Sequence, residues 1–218
     1  MRMHEGTQSL MLPQAFAAAK RIILHAAIYG PFVRSAPHRQ ALETAVRNGA
    51  ALHAILAPLP SSVPQNPWIN EFWQMVRPGV SLHSVEQEWQ NSIALFRALA
   101  ATATSAAAGA TVLAYATQAM PCLPVLLADD RIFFGHYAHS AVPAPQGVWC
   151  AMDAPVGKML AIHSSSTSPA TAGNTQTTAP GNEEADSRKQ PLPEWWRAPA
   201  RLVEECVHAM HHATRIPL

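Results

Sequence analysis

The chain has 218 residues, of which 49% are hydrophobic and 13% charged, and its formal net charge is +1. A chain of this length buries about 70% of its extended surface without needing a disulfide or a metal. Its near-zero charge argues against strong electrostatic capture of nucleic acid or of an anionic membrane. Three cysteines, Cys122, Cys150 and Cys206, lack CxxC spacing, which fits a reducing, cytoplasmic setting. Residues 98–116 are weakly polar but rich in alanine, threonine and serine, too poor in large apolar side chains for a membrane span.

In chain order, residues 1–11 read as frayed, and Pro13–Lys20 as a short helix with proline near its start. Arg21–Tyr29 is a nearly continuous apolar run closed by Gly30-Pro31, which fits a strand buried on both faces. Ser35–Asn48 reads as a helix with Ala41, Leu42, Ala45 and Val46 on its apolar stripe and Gly49 just beyond it. Ala50–Leu56 reads as a second buried strand. Strand, helix and strand in this order imply a right-handed parallel crossover. A loop over Pro60–Pro67 leads to a short helix, Trp68–Val76. The pattern then predicts a strand over Gly79–Val85, a long helix from Glu86 to about Ala107, and a strand over Thr111–Thr117. Pro121–Ala128 and Arg131–Tyr137 read as a hairpin, and Gly147–Met152 as a last strand.

Residues 164–193 differ in kind. They are rich in Ser, Thr, Ala, Gly, Asn, Gln and Pro and cannot bury enough apolar surface to offset their ordering entropy, so a disordered linker is expected there. It would separate a domain over 1–163 from an amphipathic C-terminal helix over 194–218, with Leu202, Val203, Cys206, Val207 and Met210 at helical spacing. Such a helix either captures a protein partner or completes the domain's own core.

The most informative stretch runs from Val125 to Ser140: an apolar run, Asp129-Asp130, a second apolar run, then Gly135-His136-Tyr137-Ala138-His139. With the preceding alternation of strands and helices, it resembles one unit of the phospholipase D-like fold, whose signature is H-x-K-x4-D followed by G-S-x-N. Asp129 matches the aspartate and Gly135 the glycine. Cys122 stands at the histidine position, Pro124 at the lysine position and His136 at the serine position. The resemblance implies an α/β fold with a mixed, mainly parallel sheet covered by helices, and a homodimer. It does not carry the activity, because the nucleophile and the cation that holds the phosphoryl oxygens are both missing.

His136 and His139, with Asp129, are candidates for residual catalysis, since loop residues past strand ends are favoured ligand positions. His25, Arg131 and Tyr137 are candidates for ligand contact, His25 because a polar residue of the first strand could face the same edge as His136. Each has a plainer reading: Asp129 and Asp130 suit an ordinary turn, Arg131 a solvated partner, His25 a core histidine. Of Glu204, His208, His211 and His212, the first two and either of the last two share a helical face, but the macrodipole at a helix C-terminus accounts for histidines there without a metal. No Walker A loop, G-x-G-x-x-G or G-x-S-x-G is present, so no cofactor is expected. The six tryptophans lack basic interleaving and give no nucleic-acid signal. The reading is a catalytically degenerate phospholipase D-like module that binds a partner or ligand. The alternative is a phosphodiesterase or nuclease with His136 as nucleophile and His139 or His25 as acid/base.

Overall fold

The computed structural model describes residues 1–59, 68–106, 109–137, 144–166 and 193–218, with backbone only over 163–166. A single eight-stranded sheet organises them in the order β1-β7-β6-β5-β2-β3-β4-β8. The strands are β1 (Arg2–Glu5), β2 (Arg21–His25), β3 (Ala51–Leu56), β4 (Thr111–Ala116), β5 (Val125–Ala128), β6 (Arg131–Gly135), β7 (Val148–Asp153) and β8 (Thr214–Ile216). The sheet is mixed, as expected, but its parallel character is confined to β2–β3 and β3–β4; the other five pairings are antiparallel. The cause is that β5 lies beside β2 in reverse and hairpin-paired strands follow it. The expected parallel crossover is β2, then helices α2 (Gly30–Arg34) and α3 (Ala36–Arg47), then β3.

Helices cover both faces. On one, α1 (Leu12–Ala18), α3 and α5 (Leu82–Ser105) bring Phe16, Leu42, Val46 and Phe96 onto Ile22, Leu24, Leu52 and Leu126. On the other, α6 (Val156–Ser166) and α7 (Arg197–His211) bring Met159, Val203 and Cys206 onto Ile23, Ile55, Val125 and Leu127. Burying alternate residues on opposite faces explains why the central strands read as continuous apolar runs. At one end of the sheet α4 (Trp68–Val76) packs Phe72 and Trp73 against Ala27 and Tyr137.

Three expectations are corrected. Gly79–Val85 is no strand: Gly79 turns the chain at φ +75, and the Ser81 hydroxyl accepts from the Ser84 amide at 3.2 Å, capping α5 so that it begins at Leu82. Residues 1–11 are ordered, because β1 pairs with β7. Residues 164–166 close α6, while the rest of the expected linker, 167–192, lies outside the described residues. The C-terminal helix completes the domain's own core. Its apolar face is occupied by the chain's own sheet, and β8 beyond it pairs with β4. No helix among the described residues is long and apolar enough to cross a membrane.

The Asp129-Asp130 turn fixes the hairpin at the start of β2. Asp129 lies in the left-handed region at φ 48, which aspartate tolerates better than most residues. Its carboxylate accepts from the Lys20 amide at 3.0 Å and the Arg21 amide at 2.8 Å, and its own amide donates to the Arg21 carbonyl at 2.9 Å. Asp129→Ala leaves two backbone donors unmatched and should lower unfolding free energy by about 2–3 kcal/mol. Urea denaturation would read this as a lower midpoint at constant slope, and an unchanged midpoint would refute the clamp.

Candidate ligand-binding site

The chemistry-bearing residues gather where β2 and β3 end. The chain leaving β2 turns through Ala26–Tyr29, and the Tyr29 ring folds back beneath it. Its hydroxyl lies 2.7 Å from both the Leu24 and Ile55 carbonyls and accepts from the Ala26 amide at 3.1 Å. Burial raises the pKa of this hydroxyl well above the ordinary tyrosine value, keeping it a donor.

His25, the last residue of β2, pairs with Ile55 and Val125 and is 1% exposed. Strand alternation puts its ring on the Ile23 side, under α7. Neither ring nitrogen has a hydrogen-bond partner among the described residues, and burial lowers its pKa to about 4, so it is neutral in the fold. Tyr137, past the end of β6, is also buried, with its ring edge-on to Phe72 at 5.4 Å. Its hydroxyl is enclosed without a full hydrogen bond, beside the Ala27 backbone, and burial raises its pKa. The neighbouring His136 is exposed and makes no hydrogen bond among the described residues, so the chain presents Tyr137 inward and His136 to solvent.

Tyr29 and Tyr137, but neither His25 nor His136, line an apolar cleft of ≈ 70 Å³ against α2. Its walls include Tyr29, Phe32, Leu126, Trp149, Val76 and Tyr137. The Trp149 indole donates to the Ala144 carbonyl at 2.7 Å and crosses Gly135, where a Cβ would come within 2.8 Å of the ring. Gly135 is therefore needed for a close approach of ring to backbone rather than for an unusual φ. Pro124 lines the same cleft. At its mouth stands Arg77, which also lines an adjoining groove with Arg34, His38 and Glu5.

The sheet separates the residues that the sequence singled out. His25, His136 and Tyr137 share the strand-end edge. Asp129 sits at the opposite end, about 17 Å away along the five residues of β6, with its carboxylate engaged by backbone amides. Arg131 is at that far end too, 3.5 Å from Asp153 and with its guanidinium over the Phe133 ring. His139 lies outside the described residues. On α7, the His208 and His212 rings approach to 4.4 Å and Glu204 pairs with Arg201; no group of three metal-ligating side chains occurs among the described residues. Sequence reading missed Thr7, Phe32, Arg77 and Trp149. They are far apart in the chain and carry no spacing signal; only the Gly135–Trp149 close approach joins one of them to the hairpin that was noticed.

No family model matches the chain, and no curated protein matches it in sequence. Among solved structures it is similar to a phospholipase D family member, Nuc from Salmonella typhimurium, with TM-score 0.47 and 10% identity over 100% of this chain and 99% of that one. It is also similar to TrmBL2, an archaeal chromatin protein, described with a novel mode of DNA binding, with TM-score 0.40 and 13% identity over 76% of this chain and 48% of that one. Neither likeness transfers chemistry at this level.

The burial of His25 makes stability depend on pH. Unfolded, the imidazole takes up a proton below its ordinary pKa of 6.5; folded, it resists until about 4. Its contribution is whole above pH 6.5 and is lost as pH falls through that window, amounting to roughly 3 kcal/mol. His25→Leu should flatten the decline in urea midpoint between about pH 7 and about pH 4.5, leaving the smaller slope from His38 and His53, which burial shifts the same way. An unaltered slope would contradict this assignment.

Proposed function

We propose that this chain is a catalytically degenerate phospholipase D-like domain that binds a small ligand in the cleft at the ends of β2 and β3. The observation that carries the reading is the composition of that edge. Where the resemblance would put the cation, Pro124 lines an apolar cleft. Where it would put the nucleophile, Cys122 is exposed. General acid–base or nucleophilic work needs a second group within hydrogen-bond reach, and His136 has none among the described residues. A concave, mainly apolar pocket with a few polar groups at its rim is the usual form of a small-molecule site.

A second reading is a phosphodiesterase or nuclease built on other histidines. It is favoured by His25, whose two ring nitrogens are enclosed and unmatched. The two readings separate on a panel of chromogenic phosphodiesters with and without divalent metal, run on wild type, His136→Ala and His25→Leu. The binding reading expects background turnover in all three, together with shifts in the backbone amide signals of Ala26, Ala27 and Ile28 on titration with isobutanol. Turnover abolished by either histidine substitution would establish the second reading, and unmoved amide signals would remove the first.

A further inference from the structure

We infer that the ligand is a small aliphatic monoanion, a carboxylate on a short branched chain, bound with its head on Arg77; this rests on the cleft being a binding site. The charge arrangement at the mouth supports it. Glu88 on α5 holds two arginines, Arg77 at 2.7 Å through one carboxylate oxygen and Arg34 at 3.1 Å through the other. Two guanidiniums on one carboxylate leave one positive charge over. Arg77 uses one nitrogen on Glu88, and its remaining N–H groups meet no acceptor among the described residues. Glycine at position 30 allows the cluster to sit there, since a Cβ would come within 2.8 Å of Glu88 and 3.1 Å of Arg34.

A second group faces the same groove. His38 stacks on Phe32, a cleft wall, at 4.9 Å, and its Nδ1 lies 2.7 Å from the Ser35 hydroxyl. Its Nε2 is buried with no partner among the described residues. Phe32 thus connects an apolar pocket to a rim of unmatched polar groups. An anion at Arg77 gains charge-assisted, bidentate hydrogen bonds that a neutral head cannot make. Glu5 also lines the groove and offsets that charge, so an anion would be held by the unengaged N–H groups of Arg77 rather than by a net positive field, which suits a monoanion better than a more highly charged head. The cleft, at ≈ 70 Å³, is about half the size of an apolar cavity of roughly 150 Å³ that admits benzene, which limits the body to a small branched chain.

Calorimetric titration of the full chain with isovalerate, isovaleramide and isoamylamine tests this. Isovalerate should bind about tenfold more tightly than its neutral amide, and isoamylamine most weakly. Arg77→Gln should bring the ratio of acid to amide affinity near one. Glu88→Gln, which frees Arg77 from its carboxylate, should raise that ratio, and it tests the inference from the opposite direction if Arg77→Gln fails to fold. Equal binding of acid and amide by the wild type overturns the monoanion inference and leaves the cleft reading standing. Binding of none of the three overturns the cleft reading, and this inference with it.

Discussion

The Tyr29 hydroxyl is the contact on which the candidate site depends. Parallel strands diverge where they end, and their terminal carbonyls need donors once the ladder stops. Tyr29 brings one donor within 2.7 Å of a carbonyl near the end of each of β2 and β3, sharing the Ile55 carbonyl with the Ala26 amide at 3.2 Å. To reach them the chain must reverse sharply after β2. Ala26 and Ala27 are small enough for that reversal, and the Tyr29 amide is taken by the Ser92 hydroxyl on α5 at 3.1 Å. The ring meets Phe96 edge-on at 5.1 Å and forms the inner wall of the cleft. The strand ends, the docking of α5 and the cleft therefore share one side chain.

The two ends of the sheet have different chemistry. At one end Asp129 accepts from two backbone amides and Asp130 accepts from the Gly157 amide at the start of α6, at 3.3 Å. Acidic side chains there tie loops to strand starts. Unmatched buried polar atoms occur at both ends: Nε of Arg21 beside Asp129, and at the other end both nitrogens of His25, the hydroxyl of Tyr137 and Nε2 of His38. Of these residues, Tyr137 lines the cleft and His38 lines the adjoining groove. The asymmetry of the hairpin follows: its turn does structural work, and its open end reaches the site.

Much of this architecture was legible in the sequence, for identifiable reasons. The buried strands β2 and β3 are continuous apolar runs, Trp68–Val76 carries a full apolar stripe, and the Asp129-Asp130 turn is flanked by two such runs. Short strands were not legible. Arg2–Glu5 and Thr214–Ile216 are polar, lie at the sheet edges and exist through pairing with distant partners. The Gly79–Val85 stretch misled because β-branched Val80 and Val85 outweighed the cap that Ser81 supplies. The edge carrying His25 and Tyr137 was legible as a strand end. The direction of His136 was not, since one residue of chain decides whether a side chain faces the core or water. The cleft was least legible: Thr7, Arg77 and Trp149 meet only through the fold.

The central claim is that the strand-end edge holds a ligand in the cleft between Tyr29 and Trp149 rather than turning over a phosphodiester at His136. A crystal structure of the full chain grown with isovalerate tests it most directly. The account predicts ordered density for the branched chain against Leu126, Phe32 and Trp149, with the carboxylate within hydrogen-bond distance of Arg77. An empty cleft at saturating isovalerate, or the ligand seated against His136 instead, would contradict it.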